Sequence, residues 1–460
     1  MFLEEIQKTA KIFKSIVKEK TVKIFSHLDA DGISSASIIA KMLIRMNVNF
    51  ELRIYKQLTK QIVESFEINE SNLLILTDFG SGQLDHLKRI LEKTQVLVLD
   101  HHESKQLNHI NLFHLNPLLY SQDEASSSII CYLFAKAVDL RNTDLIGLAI
   151  VGVIGDVQED SGELKELWKK VLEEAMTLNK VTVMKGLRLY GRNTRPIHKA
   201  LEYSFDPFIP EISGSESNAI QFLSELGISV KDDGDWKKLK DLTIEEQQKL
   251  ASAIIVERLK SNHSYAEDIF GENYTLLDMP EEFQDAHEFA TLLNACGRLG
   301  RSDLGIRLNL GDFNSMNEVW PLLDEYRKTI SNYMKLLREN DNVIESTHTS
   351  SLISCEGKIP ESLIGTITSI GLNSNMFNQS KPIFGFAETD DGKIKVSARL
   401  PKNIKEINLR DIIFHAAKEV GGEGGGHKYA AGAFIPKDKK HEFVRIIDSK
   451  LSEIHGNKES

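Results

Sequence analysis

The chain has 460 residues, 41% of them hydrophobic and 27% charged, with 67 acidic side chains against 56 basic ones and a net charge of −11. That length predicts two or three domains, and the net acidity excludes a global attraction to nucleic acid, so a polyanion would have to be held locally, by metal ions or a basic groove. No apolar run approaches the roughly 20 residues needed to span a bilayer, and three widely spaced cysteines, Cys131, Cys296 and Cys355, make neither a disulfide framework nor a zinc cluster.

The N-terminal segment MFLEEIQKTAKIFKSIVKEK reads as an amphipathic charged helix without the apolar centre of a signal peptide, so the expected compartment is a reducing cytoplasm. Short apolar runs then alternate with helical patterns over the first 160 residues. The runs are VKIFS (Val22–Ser26), FELRIY (Phe50–Tyr55), NLLILTDFG (Asn72–Gly80) and VLVLDHHES (Val96–Ser104), and IIAKMLIRM and ASSSIICYLFAKAV carry helical spacing. Such alternation predicts βαβ units and a parallel sheet with helices on both faces. IGLAIVGVIGDVQED (Ile146–Asp160) reads as a buried helix or strand ending in a Gly-Asp turn.

From about Leu164 to Asn340 the pattern is mostly helical. IEEQQKLASAIIVERLK has clean 3.6-residue periodicity, FDPFIPEISGSES is a loop, VKDDGDWKKLKD is a charged surface stretch, and LLDEYRKTISNYMKLLREN suits a connector. From about Asn342 the chain is again mixed and ends in the glycine-rich GGEGGGHKYAAGAFIP. The expected fold is α/β, with an N-terminal parallel-sheet domain at 1–165, a mainly helical insertion and connector at 166–340, and a smaller C-terminal α/β domain at 341–460.

The chemistry sits where apolar segments end. VKIFSHLDADG delivers His27, Asp29 and Asp31, with Gly32 expected to free the turn. NLLILTDFG delivers Asp78, VLVLDHHES delivers Asp100, His101 and His102, and VGVIGDVQ delivers Asp156. A single Asp after a strand more often caps the next helix. Four such ends in succession, at one edge of a parallel sheet where ligands bind, read as a site. His109 and His114 lack that context and are read as structural. Carboxylates mixed with imidazoles suit a divalent metal of manganese type better than zinc or calcium. Five or six such groups are too many for one ion and would repel if unpaired. Two cations roughly 3.5–4 Å apart, bridged by a carboxylate, would resolve this, lower the pKa of a shared water and clamp the oxygens of a displacement at phosphorus.

HLDADG, LTDFG, LDHHE and GVIGD resemble the four motifs of the DHH phosphoesterase superfamily, and GGEGGGHKYAAGAF resembles the glycine-rich motif of its C-terminal DHH-associated domain. With the helical insertion and NACGR (Asn294–Arg298), the pattern is most similar to archaeal RecJ-like exonucleases, including the GINS-associated nuclease group. The resemblance implies one metal on His27, Asp29 and Asp78 and a second on Asp31, Asp78, His101 and Asp156, with Asp78 bridging. It implies that His102 faces the scissile phosphate and that Asp100 orients the histidines. Many bacterial RecJ proteins carry Asp where this chain has His27; both types bind metals. The cofactors expected are two divalent ions, Mn²⁺ with Mg²⁺ as the alternative. The partners expected are single-stranded DNA or RNA and, through the resemblance, GINS and other replisome proteins, with no membrane.

At the C-terminal end, Gly424, Gly425 and Gly426 let backbone N–H groups approach a phosphate or a 3′ nucleotide, and His427 adds a donor. IKVSARL (Ile394–Leu400) puts Ser397 and Arg399 on one face of a strand. Asn294 and Arg298, four apart on a helix, are expected to face one partner and bind substrate. Arg192, Arg195, His198 and Lys199, and Arg301 and Arg307, would either line a strand-binding groove or serve in structural ion pairs. Three functions follow: a single-strand exonuclease in replication or repair, a phosphatase of short oligonucleotides or nucleotides, and a replisome scaffold with residual nuclease activity.

Overall fold

The computed structural model describes the chain apart from residues 105, 159–164, 206, 262–265, 341–342, 355–356, 375 and 457–460. Cys355, Asp160 and the expected boundary at 341 lie outside the described residues; Cys131 and Cys296 are buried free thiols. The chain forms two compact units, 1–185 with 272–324, and 186–271 with 325–460. The segment 166–340 is thus shared between them.

In chain order the first unit opens with α1 (Phe2–Ile16), β1 (Thr21–His27), α2 (Ala30–Arg45), β2 (Phe50–Tyr55), α3 (Lys60–Glu64), β3 (Asn72–Thr77), α4 (Leu84–Leu91), β4 (Val96–Leu99), β5 (Leu112–Leu115), α5 (Ser127–Val138), α6 (Ile146–Gly155) and α7 (Glu166–Thr177). The five strands pair in parallel in the order β2-β1-β3-β4-β5. Every residue of β3 and β4 is buried, as unbroken apolar runs in a parallel sheet must be. The order changes direction between β1 and β3, and their carboxyl ends flank that switch point, where open α/β sheets bind ligands.

Asp29 caps α2: its Oδ1 accepts from Gly32 N–H at 2.9 Å. Gly32 serves by closeness rather than by turn freedom, since a Cβ there would lie 2.3 Å from the His27 carbonyl oxygen. Nearly all of α2 is buried, because it packs on β1 and against α5 and α6. The segment open between helix and strand in the sequence is the helix α6, and Asp156 is its C-terminal cap. Asp156 therefore reaches the site from a helix end packed on α2, not from the sheet edge.

The chain continues with β6 (Val181–Leu187), α8 (Ile197–Glu202), α9 (Glu216–Glu225), β7 (Lys231–Asp232), β8 (Asp235–Trp236), α10 (Ile244–Lys260), β9 (Phe270–Leu276), α11 (Ala286–Arg298), α12 (Ser302–Asn309) and α13 (Met316–Glu339). Helices α8, α9 and α10 share a core of their own around Ile197, Leu201, Leu223, Leu250 and Ile254. Helices α11 and α12 belong to the first unit, where both pack against α2.

The C-terminal part contains β10 (Ile344–Ser346), β11 (Ser351–Ser354), α14 (Glu361–Asn373), β12 (Ile383–Glu388), β13 (Lys393–Arg399), α15 (Leu409–Glu419), β14 (Glu423–Gly426), β15 (Ala430–Pro436) and α16 (Lys440–Gly456). Its sheet runs β10-β11-β12-β13-β15-β14, antiparallel except between β11 and β12. The triple glycine is edge strand, not turn. A Cβ on Gly424 would meet Ile413 of α15 at 2.9 Å, and Gly426 has φ +130°, where side chains are strained.

Candidate metal centre

Asp78 is the middle of the site. It follows β3 in the left-handed region, φ +61°, an uncommon conformation for a non-glycine residue that turns its carboxylate out of the strand. Its Oδ2 lies 3.4 Å from His27 Nδ1, and its Oδ1 lies 3.4 Å from His101 Nε2. Ser127 Oγ donates to Oδ1 at 3.2 Å.

On the His27 side, Asp29 Oδ2 is 2.9 Å from His27 Nδ1 while its other oxygen caps α2. The capping role and a ligand role are thus carried by different oxygens of one carboxylate. His27, Asp29 and Asp78 offer donor atoms within 4.8 Å of one another.

On the other side, Asp31, His101 and Asp156 form a second group within the same limit. Asp31 sits on the N-terminus of α5: Ser128 N–H donates to Oδ1 at 2.9 Å and Ser127 N–H to Oδ2 at 2.8 Å. Two unpaired amides and the positive end of a helix dipole suit a carboxylate there. His101 Nε2 is 3.7 Å from Asp156 Oδ2, and its Nδ1 is 3.1 Å from Glu124 Oε1. A histidine held at one nitrogen by a carboxylate presents the other as a ligand.

Behind this layer Asp100, fully buried, organises the loop after β4. Its Oδ1 accepts from His101 N–H at 2.8 Å and lies 2.7 Å from His102 Nδ1; its Oδ2 accepts from Ser81 N–H at 2.8 Å. His102, 39% exposed, is therefore fixed in orientation. Ser81 Oγ is 2.8 Å from His114 Nε2, and Asn116 Nδ2 donates to the His102 carbonyl at 2.7 Å.

The charges disturb one another strongly. Burial raises the Asp31 carboxyl well above its ordinary range, and Asp78 and Asp156 push it further. Burial also lifts Asp156, to about 7, with Asp78 and Asp29 adding repulsion against the pull of His101. Asp78 goes down: its hydrogen bonds to His101 and His27 outweigh its burial. The imidazoles of His27 and His101 are raised against burial, the first by Asp29 and Asp78, the second by Asp156, Asp78 and Glu124. Asp100 is held low by His102 despite its burial, and His102 is raised by Asp100. His114, buried beside Ser81, is pushed down to about 4. Two carboxyls lifted by burial and by neighbouring carboxylates would be relieved by divalent cations. Oxygen and imidazole donors are the types such cations take.

The remaining expected residues fall elsewhere. Asn294, on α11, gives its carboxamide oxygen to Ala30 N–H at 3.0 Å, which leaves its Nδ2 for any other partner. Arg298 ends the same helix. In the C-terminal sheet, strand pairing puts Ser397, Gly432 and Gly425 in one row on one face. Arg399 pairs with Ala430, to whose carbonyl His427 N–H donates, so Arg399 and His427 form the next row. Arg399 donates from Nη1 to Ser397 Oγ at 3.1 Å and from Nε to Ser369 Oγ at 2.7 Å. Gly425 has nothing within 4 Å of a Cβ position, whereas Gly424 and Gly426 are in close contact.

Several basic residues are in ion pairs: Arg301 with Asp303 and Glu318, Arg307 with Asp312 and Glu318, and Lys199 with Glu202 and Glu216. His198 is buried and lies 3.4 Å from Glu216. Of the groups around the site, sequence reasoning missed Glu124 and the Ser127 and Ser128 amides, while His114, read as structural, meets Ser81 behind it. Only the serine run heading an apolar helix offered a signal.

A parallel sheet with Asp and His side chains gathered at its switch point is matched in family terms over three segments of the chain. Residues 21–153 match the DHH family N-terminal domain, 189–269 the DHH-CID domain and 361–453 the DHHA1 domain. A curated protein of Methanocaldococcus jannaschii, Uncharacterized protein MJ0831, is 33% identical over 465 residues covering 98% of each chain. The chain belongs to the DHH superfamily. RecJ from Thermus thermophilus, in complex with Mn²⁺, shares the fold with a TM-score of 0.57 at 18% identity over 98% of this chain, which spans 55% of that chain. CDC45 from Entamoeba histolytica does so with a TM-score of 0.66 at 11% identity, covering 98% and 99%. Among the described residues, no helix is long and apolar enough to cross a membrane.

Proposed function

We propose that this chain is a metal-dependent exonuclease on single-stranded DNA or RNA. The observation that carries the reading is the position of Asp78, whose Oδ2 belongs with His27 and Asp29 in one donor group and whose Oδ1 lies 3.4 Å from His101 of the separate Asp31/His101/Asp156 group. Two divalent ions, with manganese favoured, would be held by these groups, and they would supply an activated water and charge neutralisation at phosphorus. His102, oriented by Asp100, faces the phosphate and donates a hydrogen bond to it. Glu124 fixes the tautomer of His101, and the α5 amides keep Asp31 in place. Arg399, Ser397, Gly425 and His427 hold the substrate in the C-terminal sheet, with Asn294 Nδ2 and Arg298 as further contacts.

The likeness to RecJ supports this reading through the fold, and the Mn²⁺ named with that protein supports the choice of metal. The test is digestion of 5′- and 3′-labelled single-stranded DNA and RNA with Mn²⁺, comparing wild type with Asp78→Ala. Release of mononucleotides by wild type alone supports the reading, and the label pattern gives polarity. If neither cuts, the reading fails. Faster turnover of dinucleotides than of 20-mers would favour the short-oligonucleotide phosphatase.

The likeness to CDC45 favours a second role, as a replisome component that keeps its nuclease. Retention of GINS subunits in a pull-down supports that role, and their absence removes it.

A further inference from the structure

The turn between β1 and α2 is gripped by a helix that the chain reaches only 264 residues later. That helix, α11, lies outside all three matched domain segments. Its Asn294 Oδ1 accepts from Ala30 N–H at 3.0 Å. Ala30 is the first residue of α2, so its N–H has no acceptor within its own helix. Three residues on, and hence on the same face of α11, Gly297 meets the carbonyl of Leu28 so closely that a Cβ would lie 1.7 Å from the oxygen. The register continues along α2. Gly305 sits against Ile33, Asn309 Nδ2 donates to Ser37 Oγ at 3.1 Å, and Lys41 Nζ donates to the Leu310 carbonyl at 2.9 Å.

The gripped residues, Leu28 and Ala30, alternate with His27, Asp29 and Asp31, which carry donor atoms of both metal groups. Asp29 already divides its oxygens between the α2 cap and His27, and Asp31 is held by two α5 amides. Without the Asn294 acceptor, the Ala30 amide must turn toward water or toward a carboxylate of the turn, and either movement displaces those donors. We propose that Asn294 and Gly297 are positioning residues of the metal centre, holding the 28–30 backbone so that His27, Asp29 and Asp31 present their oxygens and nitrogens together. This rests on the metal-dependent reading above. It assigns to the returning helix, rather than to the N-terminal sheet alone, the completion of the site.

The experiment titrates Mn²⁺ into full-length wild type, Asn294→Ala, Asn294→Asp and Gly297→Ala, reading uptake by electron paramagnetic resonance and calorimetry. Exchange of the Ala30 amide and the thermal melt are recorded alongside. Asn294→Ala should weaken uptake about tenfold or more, the scale of losing a partner behind a metal ligand, with the Ala30 amide opened to exchange and a cooperative melt. Asn294→Asp keeps an acceptor oxygen and should restore uptake and protection. Gly297→Ala should weaken uptake by pushing on Leu28. Wild-type affinity in Asn294→Ala, or equal losses in Asn294→Ala and Asn294→Asp, overturns the proposal. Should Asn294→Ala not fold, Gly297→Ala decides: weakened uptake supports the proposal and wild-type uptake overturns it. A wild type that takes up no manganese fails the metal-dependent reading instead, a result distinct from all of these.

Discussion

The acidic centre of the first unit and the basic residues downstream handle charge in opposite ways. Arg301, Arg307 and Lys199 each sit between two carboxylates; the cations are shifted up, and Asp303, Glu318 and Glu216 among their partners are shifted down, as in ordinary surface ion pairs. At the metal centre the groups that disturb Asp31 and Asp156 are burial and other carboxylates, and the shifts run upward. Paired charge on a surface is neutral in effect and contributes little. Carboxylates crowded and buried together, as here, are costly to the fold, and such clusters are found most often where a ligand is held.

Substitutions test that contrast. Asp156→Asn removes a donor from one group and should abolish one equivalent of manganese uptake, lowering turnover on the order of 10³-fold. Uptake of both equivalents would break the comparison at its acidic end.

His114→Gln probes the layer behind the site. The folded pKa of His114, about 4, lies below the ordinary 6.5 or so, which means the unfolded chain binds the proton first. Its contribution is therefore complete above about pH 6.5 and is lost as pH falls toward 4, by up to about 3 kcal/mol. Denaturant unfolding between pH 4 and pH 7 should show that slope in wild type and a flatter one in His114→Gln. An unchanged slope would show that His114 titrates freely.

Asp100→Asn keeps the shape but weakens the hold on His102, and should lower turnover by about 10- to 100-fold with little change in manganese uptake. A parallel loss of metal would move Asp100 into the binding layer. Smallest of all, Arg301→Ala should leave turnover on a 20-mer within about twofold of wild type, as expected for an exposed ion pair. A large rise in KM would return Arg301 to a substrate groove.

Much of the centre was legible because the residues after β1, β3 and β4 end strands of one parallel sheet. A strand buried on both faces has no structural use for ionisable residues at its end, so Asp78 and the Asp100-His101-His102 run stood out. Asp156 was legible as a residue but not as a geometry. An all-apolar segment of ten residues does not reveal whether it is helix or strand, and only its packing against α2 and α5 brings its cap to the site. The basic segments were ambiguous for a different reason. The acids that pair with Arg301, Arg307 and Lys199 sit up to 17 residues away, and only helix orientation decides which of them meet.

Local pattern was enough for the α/β class and the family, and it singled out the residues that the fold then gathers, because strand ends and donor types are properties of short segments. Packing alone arranged the rest: Asp78 faces two donor groups with its two oxygens, α5 amides hold Asp31, and α11 returns to hold Ala30. These are contacts between segments 49 to 264 residues apart, set by how helices pack on a sheet, which no local pattern records.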